Sequence, residues 1–153
     1  YVANKLQEKL NVWGYIEDEK YALKLENLDS GGLLSWRGFL KTSRLQEELC
    51  HCRALINTPK WNEAYGNVVV EAMACGVPVV AYRRGGPSEI IKHGLTGFLV
   101  DPDNKDELVK YLKKINLIDR YQCRSWVENN ASSIIFADKI ENWLQKIIAN
   151  LNN

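Results

Sequence analysis

The sequence predicts an α/β fold built on a doubly wound parallel sheet, and two observations support this. Short apolar segments alternate with segments of helical periodicity along the chain, an arrangement typical of parallel strands joined by right-handed helical crossovers. The predicted strands are continuously apolar, as in 78–82 (PVVAY), which indicates strands covered by helices on both faces. With 153 residues, the chain has the length of one domain.

Periodicity and turn residues place the elements of the first half. Helices are predicted over residues 2–10, 18–28 and 42–52, and strands over residues 11–16, 33–37 and 54–58. Asp18 is a suitable N-cap for the second helix, and Thr42 or Ser43 for the third. A Ser-Gly-Gly turn follows the second helix and separates it from the next strand.

Residues 66–76 have features of both a strand and a helix. The run Val68–Val70 favours a strand, whereas Glu71–Ala74 favours a helix and Gly76 is typical of a helix C-terminus. We therefore predict a helix that starts near Gly66. Beyond it, strands are predicted at 78–82 and 97–100, and helices at 87–93, 105–115, 119–130 and 136–151.

The chain is divided into a main domain, residues 1–135, and a C-terminal amphipathic helix, residues 136–153. One stripe of this helix carries apolar residues at spacings of three and four, namely Phe136, Ile140, Trp143, Leu144, Ile147, Ile148 and Leu151. We expect its first half to pack on the main domain and its end, near Ile148–Leu151, to be partly exposed.

Composition excludes several classes of protein. Lys and Arg total 20 against 19 Asp and Glu, which argues against a nucleic-acid-binding protein. No apolar run reaches the roughly 18 residues of a membrane span. The four cysteines are too few for a disulfide scaffold, so we expect reduced thiols and a cytoplasmic protein. Since Met73 is the only methionine, Tyr1 is expected to lie within a longer natural chain.

The loop 59–67, between a predicted strand and the helix near Gly66, is the candidate ligand site. Ligands of doubly wound sheets bind at the carboxyl ends of the strands. Free N–H groups at Gly66, Asn67 and Val68 would form an anion site suited to phosphate. Glu63 lies in the loop and Glu71 in the first turns of the helix, where its side chain tilts back toward the loop. Two carboxylates beside a phosphate site predict a nucleotide-linked polyol as ligand.

Other groups with chemically active side chains are interpreted as structural or placed outside the site. Asp101–Asp103 follows a strand as a turn and helix cap, and Cys50–Cys52 has poor spacing for zinc. His93 is predicted to cap the end of a short helix. Arg83 and Arg84 either reach a diphosphate or lie exposed at the surface, and we place them outside the site.

Residues 59–100 resemble the donor-binding domain of the retaining family 4 (group 1) glycosyltransferases, which have GT-B architecture. The resemblance covers about residues 33–150. The matching segments are 59–82 (PKWNEAYGNVVVEAMACGVPVVAY), 85–90 (GGPSEI) and 94–100 (GLTGFLV). It implies a Rossmann-like fold, the C-terminal half of an enzyme that transfers a sugar from a nucleotide diphosphate sugar without a metal or other cofactor.

The resemblance also implies roles for individual residues. Glu63 contacts hydroxyls of the donor sugar and stabilises positive charge as the donor bond breaks, and Glu71 binds the ribose hydroxyls. Backbone amides bind sugar and diphosphate oxygens at Tyr65, Gly66, Asn67 and Val68. The loop bordering the base consists of Gly38, Phe39 and Leu40.

The same resemblance implies that parts of the enzyme lie outside this chain. The Arg and Lys that neutralise the diphosphate follow the first strand of such a domain, upstream of Tyr1. The acceptor site, with an active-site His, belongs to an N-terminal domain, through which the protein could also associate with a membrane. We therefore expect a domain that lacks its first strand, binds donor and is inactive alone.

Two alternatives are a nucleotide-sugar epimerase-type domain of GT-B architecture and a non-enzymatic flavodoxin-like module. The spacing of Glu63 and Glu71 disfavours the first. The second does not explain why both glutamates flank one helix start.

Overall fold

The computed structural model describes residues 1–151 and confirms the predicted alternation of strands and helices. In chain order the elements are α1 (Val2–Leu6), β1 (Leu10–Trp13), α2 (Glu19–Asn27), β2 (Leu34–Gly38), α3 (Thr42–Cys50), β3 (Leu55–Asn57), α4 (Asn67–Ala74), β4 (Val79–Tyr82), α5 (Pro87–Ile90), β5 (Gly97–Val100), α6 (Lys105–Leu112), α7 (Arg120–Asn130) and α8 (Ser133–Leu151). A short 3₁₀ helix, Ile115–Leu117, joins α6 to α7.

The strands are parallel, as predicted, but they form two sheets. β1 pairs with β2, and β3, β4 and β5 pair in that order. Within residues 1–151 no ladder joins the two sheets, a division that the predicted parallel sheet does not specify. Strand pairing depends on which strands are neighbours in space, and an apolar sequence pattern does not specify that.

The core surrounds the three-stranded sheet. Every residue of β4 and β5 is buried, whereas β3, which pairs on one side only, is half-buried. α4 contributes Val69, Ala72 and Met73 to this core. The two-stranded sheet contributes no fully buried residue. It is attached through helices, because α1 packs on α6 and α3 packs on α4.

The helix starts confirm one predicted cap and correct another. The Asp18 carboxylate accepts a hydrogen bond of 2.9 Å from the Tyr21 N–H, so Asp18 caps α2 as predicted. The N-cap of α3 is Lys41, and no side chain caps that helix. Thr42 and Ser43 are therefore not caps, because both already lie inside the first turn.

His93 does not end a helix, because α5 stops at Ile90. Its Nδ1 instead accepts a hydrogen bond of 3.1 Å from the Leu99 N–H. The imidazole also makes edge contacts with the rings of Phe98 and Tyr111. His93 therefore fixes the turn before β5 rather than a helix terminus.

α8 is a long helix on the surface, and it begins three residues before its predicted start. None of its residues is fully buried, and Phe136 and Trp143 are 63% and 57% exposed. The prediction that its first half packs on the main domain is therefore wrong. None of the helices in residues 1–151 has the length and apolar character needed to cross a bilayer.

Candidate functional site

Two loops lie side by side at the carboxyl ends of β3 and β4. The site loop, residues 58–66, leads from β3 to α4, and the glycine loop, residues 83–86, leads from β4 to α5. Glu63 forms a parallel bridge with Gly85, and the Gly86 N–H donates a 2.7 Å hydrogen bond to the Glu63 carbonyl. Because β3 and β4 are adjacent and parallel, these backbone bonds extend their pairing into the site.

The two glycines allow the loops to touch backbone to backbone. A Cβ added to Gly86 would lie 2.2 Å from the Tyr65 carbonyl oxygen, and one added to Gly85 would lie 2.0 Å from the Glu63 carbonyl oxygen. These distances are far below van der Waals contact, and the opposing atoms are backbone rather than flexible side chain. A larger residue at either position would therefore push the site loop away.

The start of α4 presents unused hydrogen-bond donors. Gly66 is the N-cap, in a left-handed conformation with φ 92° and ψ 54°, and no side chain caps this end. The Gly66 carbonyl accepts from the Val69 N–H at 2.9 Å. The first N–H groups of a helix have no intrahelical acceptor, so those of Asn67 and Val68 can bind an anion. The predicted helix start near Gly66 is confirmed.

Two carboxylates flank this helix start. Glu63 is half-buried in the site loop and Glu71 is exposed one turn into α4. Among the ion pairs formed within residues 1–151, neither glutamate takes part. Tyr65, 49% exposed, completes the rim. The predicted residues Glu63 to Glu71 thus form one continuous segment around the start of α4, and their two carboxylates form no ion pair within residues 1–151.

The other predicted residues, Gly38 and Phe39, lie at the end of β2 in the two-stranded sheet. Phe39 stacks on Tyr15, with ring centroids 5.0 Å apart and planes at 5°, and both rings are exposed. Tyr15 is absent from the predicted site. Because Trp13 pairs with Gly38, the segments that follow β1 and β2 run side by side, and this register brings the two rings together.

Leu40 follows Phe39 in the chain and is not part of the stacked pair. It lines a cavity of about 330 Å³ with Trp13, Trp36, Arg37, Arg44 and Glu48. In the described part of the chain, no hydrogen bond links residues 38–40 to residues 58–71. The structure therefore gives two separate groups of predicted site residues, and the roles of both groups stay predictions.

Arg84 is a structural residue of the site that the prediction leaves out. Its guanidinium donates to the Pro59 carbonyl at 2.9 Å and to the Asp103 carboxylate at 2.5 Å. Pro59 is buried near the start of the site loop, so Arg84 ties that loop to the turn after β5. Its partners lie 25 and 19 residues away along the chain. Over such a separation, the spacing of residues in the sequence does not indicate which side chains are in contact.

Comparison with known protein families shows to which family the chain belongs. The family model of glycosyl transferases group 1 matches residues 3–133, most of the chain. The chain belongs to the group 1 glycosyltransferase family. This membership confirms the resemblance of residues 59–100, and it disfavours a flavodoxin-like binding module.

Sucrose synthases are among the relatives of this glycosyltransferase domain. Sucrose synthase 3 of Arabidopsis thaliana is 35% identical over 96 residues, which cover 60% of this chain and 12% of that protein. The sucrose synthase of Acidithiobacillus caldus is 33% identical over 108 residues, covering 68% of this chain and 14% of that protein. The domain therefore matches only a small part of each relative.

Solved structures show that the fold is that of GT-B glycosyltransferases. A glycosyltransferase of Rickettsia africae ESF-5 superposes with a TM-score of 0.82 at 22% identity, over 97% of this chain and 43% of that one. Anabaena Alr3699/HepE in complex with UDP gives a TM-score of 0.80 at 23% identity, over 92% of this chain and 41% of that one. The domain thus spans less than half of each.

The two motifs that are interpreted above as structural, Asp101–Asp103 and Cys50–Cys52, have the following surroundings. Asp103 pairs with Arg84, and the Asp101 N–H donates to the Glu107 carboxylate at 2.9 Å near the start of α6. Cys50 ends α3, with His51 just beyond it. Within residues 1–151, no group of three or more His, Cys, Asp or Glu side chains is arranged to hold a metal ion.

Replacing Arg84 by alanine should destabilise this glycosyltransferase domain by about 1.5 kcal/mol, the lower end for hydrogen bonds to a charged group, because Asp103 is largely exposed. Urea denaturation measures the change. Arg83→Ala is the matched control, since Arg83 is exposed and surface changes cost within about 0.5 kcal/mol. If both variants lose the same free energy of unfolding, the hydrogen bond from Arg84 to Pro59 does not stabilise the loop.

Proposed function

We propose that this domain binds the nucleotide sugar donor of a retaining glycosyltransferase at the start of α4. The observation that carries the proposal is an uncapped helix start flanked by two carboxylates without ion-pair partners in the described residues. The positive end of the helix dipole and its free N–H groups suit a diphosphate. Glu71 would accept hydrogen bonds from ribose hydroxyls, and Glu63 from hydroxyls of the sugar.

This arrangement also suits the chemistry of the transfer. When the bond between sugar and diphosphate breaks, negative charge grows on the diphosphate and positive charge grows on the sugar. The N–H groups of Asn67 and Val68 would stabilise the first, as preorganised donors do in other active sites. The Glu63 carboxylate would stabilise the second, and we assign it the catalytic role on this basis.

UDP and UDP-glucose are suitable first probes of the donor. Their complexes are known for Anabaena Alr3699/HepE, which shares this fold. We propose that the stacked rings of Phe39 and Tyr15 border the base, because flat exposed aromatic rings offer a surface on which a base can stack. Gly38 would let the chain turn beneath them, since its φ is +67°, and Leu40 would close one side.

We propose that the rest of the transferase lies outside this chain. The unpaired edges of β1 and β3 fit one further parallel strand that would join the two sheets. The acceptor site and the cations that neutralise the diphosphate would come from the same missing part. The isolated domain should therefore bind nucleotide weakly, with no transfer, and we place the enzyme in the cytoplasm.

Nucleotide binding should not require a divalent metal. The N–H groups at the start of α4 can receive the diphosphate directly, so the affinity for UDP in calorimetry should be the same with and without EDTA. A sample supplemented with Mg²⁺ is the control for partial metal loss during purification. Binding that disappears on chelation would overturn the metal-free part of the proposal.

A further inference from the structure

Two cysteines, Cys50 and Cys75, lie near the end of α4 that is away from the candidate site. Cys75 follows α4, and its Sγ lies 3.9 Å from the Gln46 carbonyl oxygen of α3. Gln46 precedes Cys50 by one helical turn. Because helical side chains tilt toward the N-terminus, the Cys50 side chain covers that same turn. Burial raises the pKa of the Cys75 thiol and the Cys50 side chain raises it further, which places the two thiols near one another.

The surroundings of this pair are polar and open to solvent. Cys50 is exposed and Cys75 is half-buried. The Arg124 guanidinium acts electrostatically on both thiols and forms a 2.8 Å ion pair with Glu128. A nearby cation and solvent access are features of reactive cysteines.

The two other cysteines differ from this pair. Cys123 is fully buried and directed at the Thr96 carbonyl, 3.4 Å away, and burial raises the pKa of its thiol to about 11. Cys52 is directed at the Glu48 carbonyl within its own segment, at 3.5 Å. Cys123 is therefore closed to solvent, unlike Cys50.

We propose that Cys50 and Cys75 form a reversible disulfide in response to peroxide. The Cys50 thiolate attacks the O–O bond of hydrogen peroxide and becomes a sulfenic acid, and the leaving oxygen departs as water after protonation. The Cys75 thiolate then attacks the sulfenic sulfur and expels a second water. Two thiols and one peroxide thus give one disulfide and two waters, and an external thiol restores the pair by exchange.

This disulfide would enclose the candidate site. The segment between Cys50 and Cys75 contains β3, the site loop and α4, and Glu71 lies one turn before Cys75. The bond would join the C-terminal ends of α3 and α4, which already pack on each other. Oxidation would thereby restrict the motion of the helix that carries the proposed phosphate site.

Peroxide treatment followed by tryptic mass spectrometry tests the proposal. One equivalent of hydrogen peroxide should remove two hydrogen atoms from the chain and link peptide 45–53 to peptide 61–83, and dithiothreitol should reverse both changes. Because peptide 45–53 also contains Cys52, the assignment needs variants. Cys52→Ser and Cys123→Ser should keep the link, whereas Cys50→Ser and Cys75→Ser should lose it.

Three results would overturn the proposal. The first is a link that persists in Cys50→Ser. The second is cross-linking only between separate chains. The third is oxygenated thiols without any link in Cys52→Ser, the variant in which Cys50 has no competing neighbour in its own peptide.

Discussion

Gly86→Ala is expected to destabilise the domain and to abolish measurable nucleotide binding. Gly86 has an ordinary helical conformation, with φ −48° and ψ −41°, so alanine adds no backbone strain. Its Cβ, however, would lie 2.2 Å from the Tyr65 carbonyl oxygen and 2.5 Å from the Tyr65 Cα. The two loops must separate, which breaks the 2.7 Å bond from the Gly86 N–H to the Glu63 carbonyl.

Urea denaturation should show a loss of about 1–3 kcal/mol, the usual cost of overpacking. Calorimetry with UDP should show no binding under conditions in which the folded fraction remains high. Gly31→Ala is the matched control, because a Cβ there first meets the Leu33 side chain at 3.2 Å, and that side chain can move. A Gly86→Ala domain with unchanged stability and affinity would show that the close approach of the loops is not required.

Glu71→Ala is expected to weaken UDP binding by about 10- to 150-fold, the equivalent of about 1.5–3 kcal/mol for hydrogen bonds to a charged group. Glu71 is exposed, so its removal should change the free energy of unfolding by no more than about 0.5 kcal/mol. Glu63→Ala should weaken UDP binding much less, because its proposed partner is the sugar. It should weaken UDP-glucose binding relative to UDP.

Calorimetry with both ligands on both variants separates these roles. Glu26→Ala in α2 serves as the control for removing an exposed helical glutamate far from the site loop. Equal losses of UDP affinity in Glu63→Ala and Glu71→Ala would contradict the assignment of ribose to Glu71. A loss of the same size in Glu26→Ala would point to a general effect of charge instead.

Local sequence features predict much of the fold because their causes are local. Asp18 caps α2 through a residue three positions away. The helix α4 is predicted despite its valines because Glu71–Ala74 and Gly76 favour a helix and its end. The α4 start and the residues from Glu63 to Glu71 form one continuous segment, so their proximity follows from the chain itself.

The features that the sequence does not predict depend on distant partners. The division of the sheet and the tether from Arg84 to Pro59 each require a tertiary neighbour. The amphipathic stripe of α8 predicts a buried face, but it contains no information about which surface covers it. Its exposed Trp143 shows that an apolar pattern alone does not place a helix.

The central claim is that the start of α4 receives the diphosphate of a nucleotide, and amide NMR tests it most directly. The uniformly ¹⁵N-labelled chain would be titrated with UDP, with uridine as the control that lacks phosphate. We expect the largest amide shift changes at Gly66, Asn67 and Val68, with UDP and not with uridine. UDP-induced changes that leave these three amides unmoved and cluster elsewhere, such as around Trp13 and Trp36, would contradict the claim.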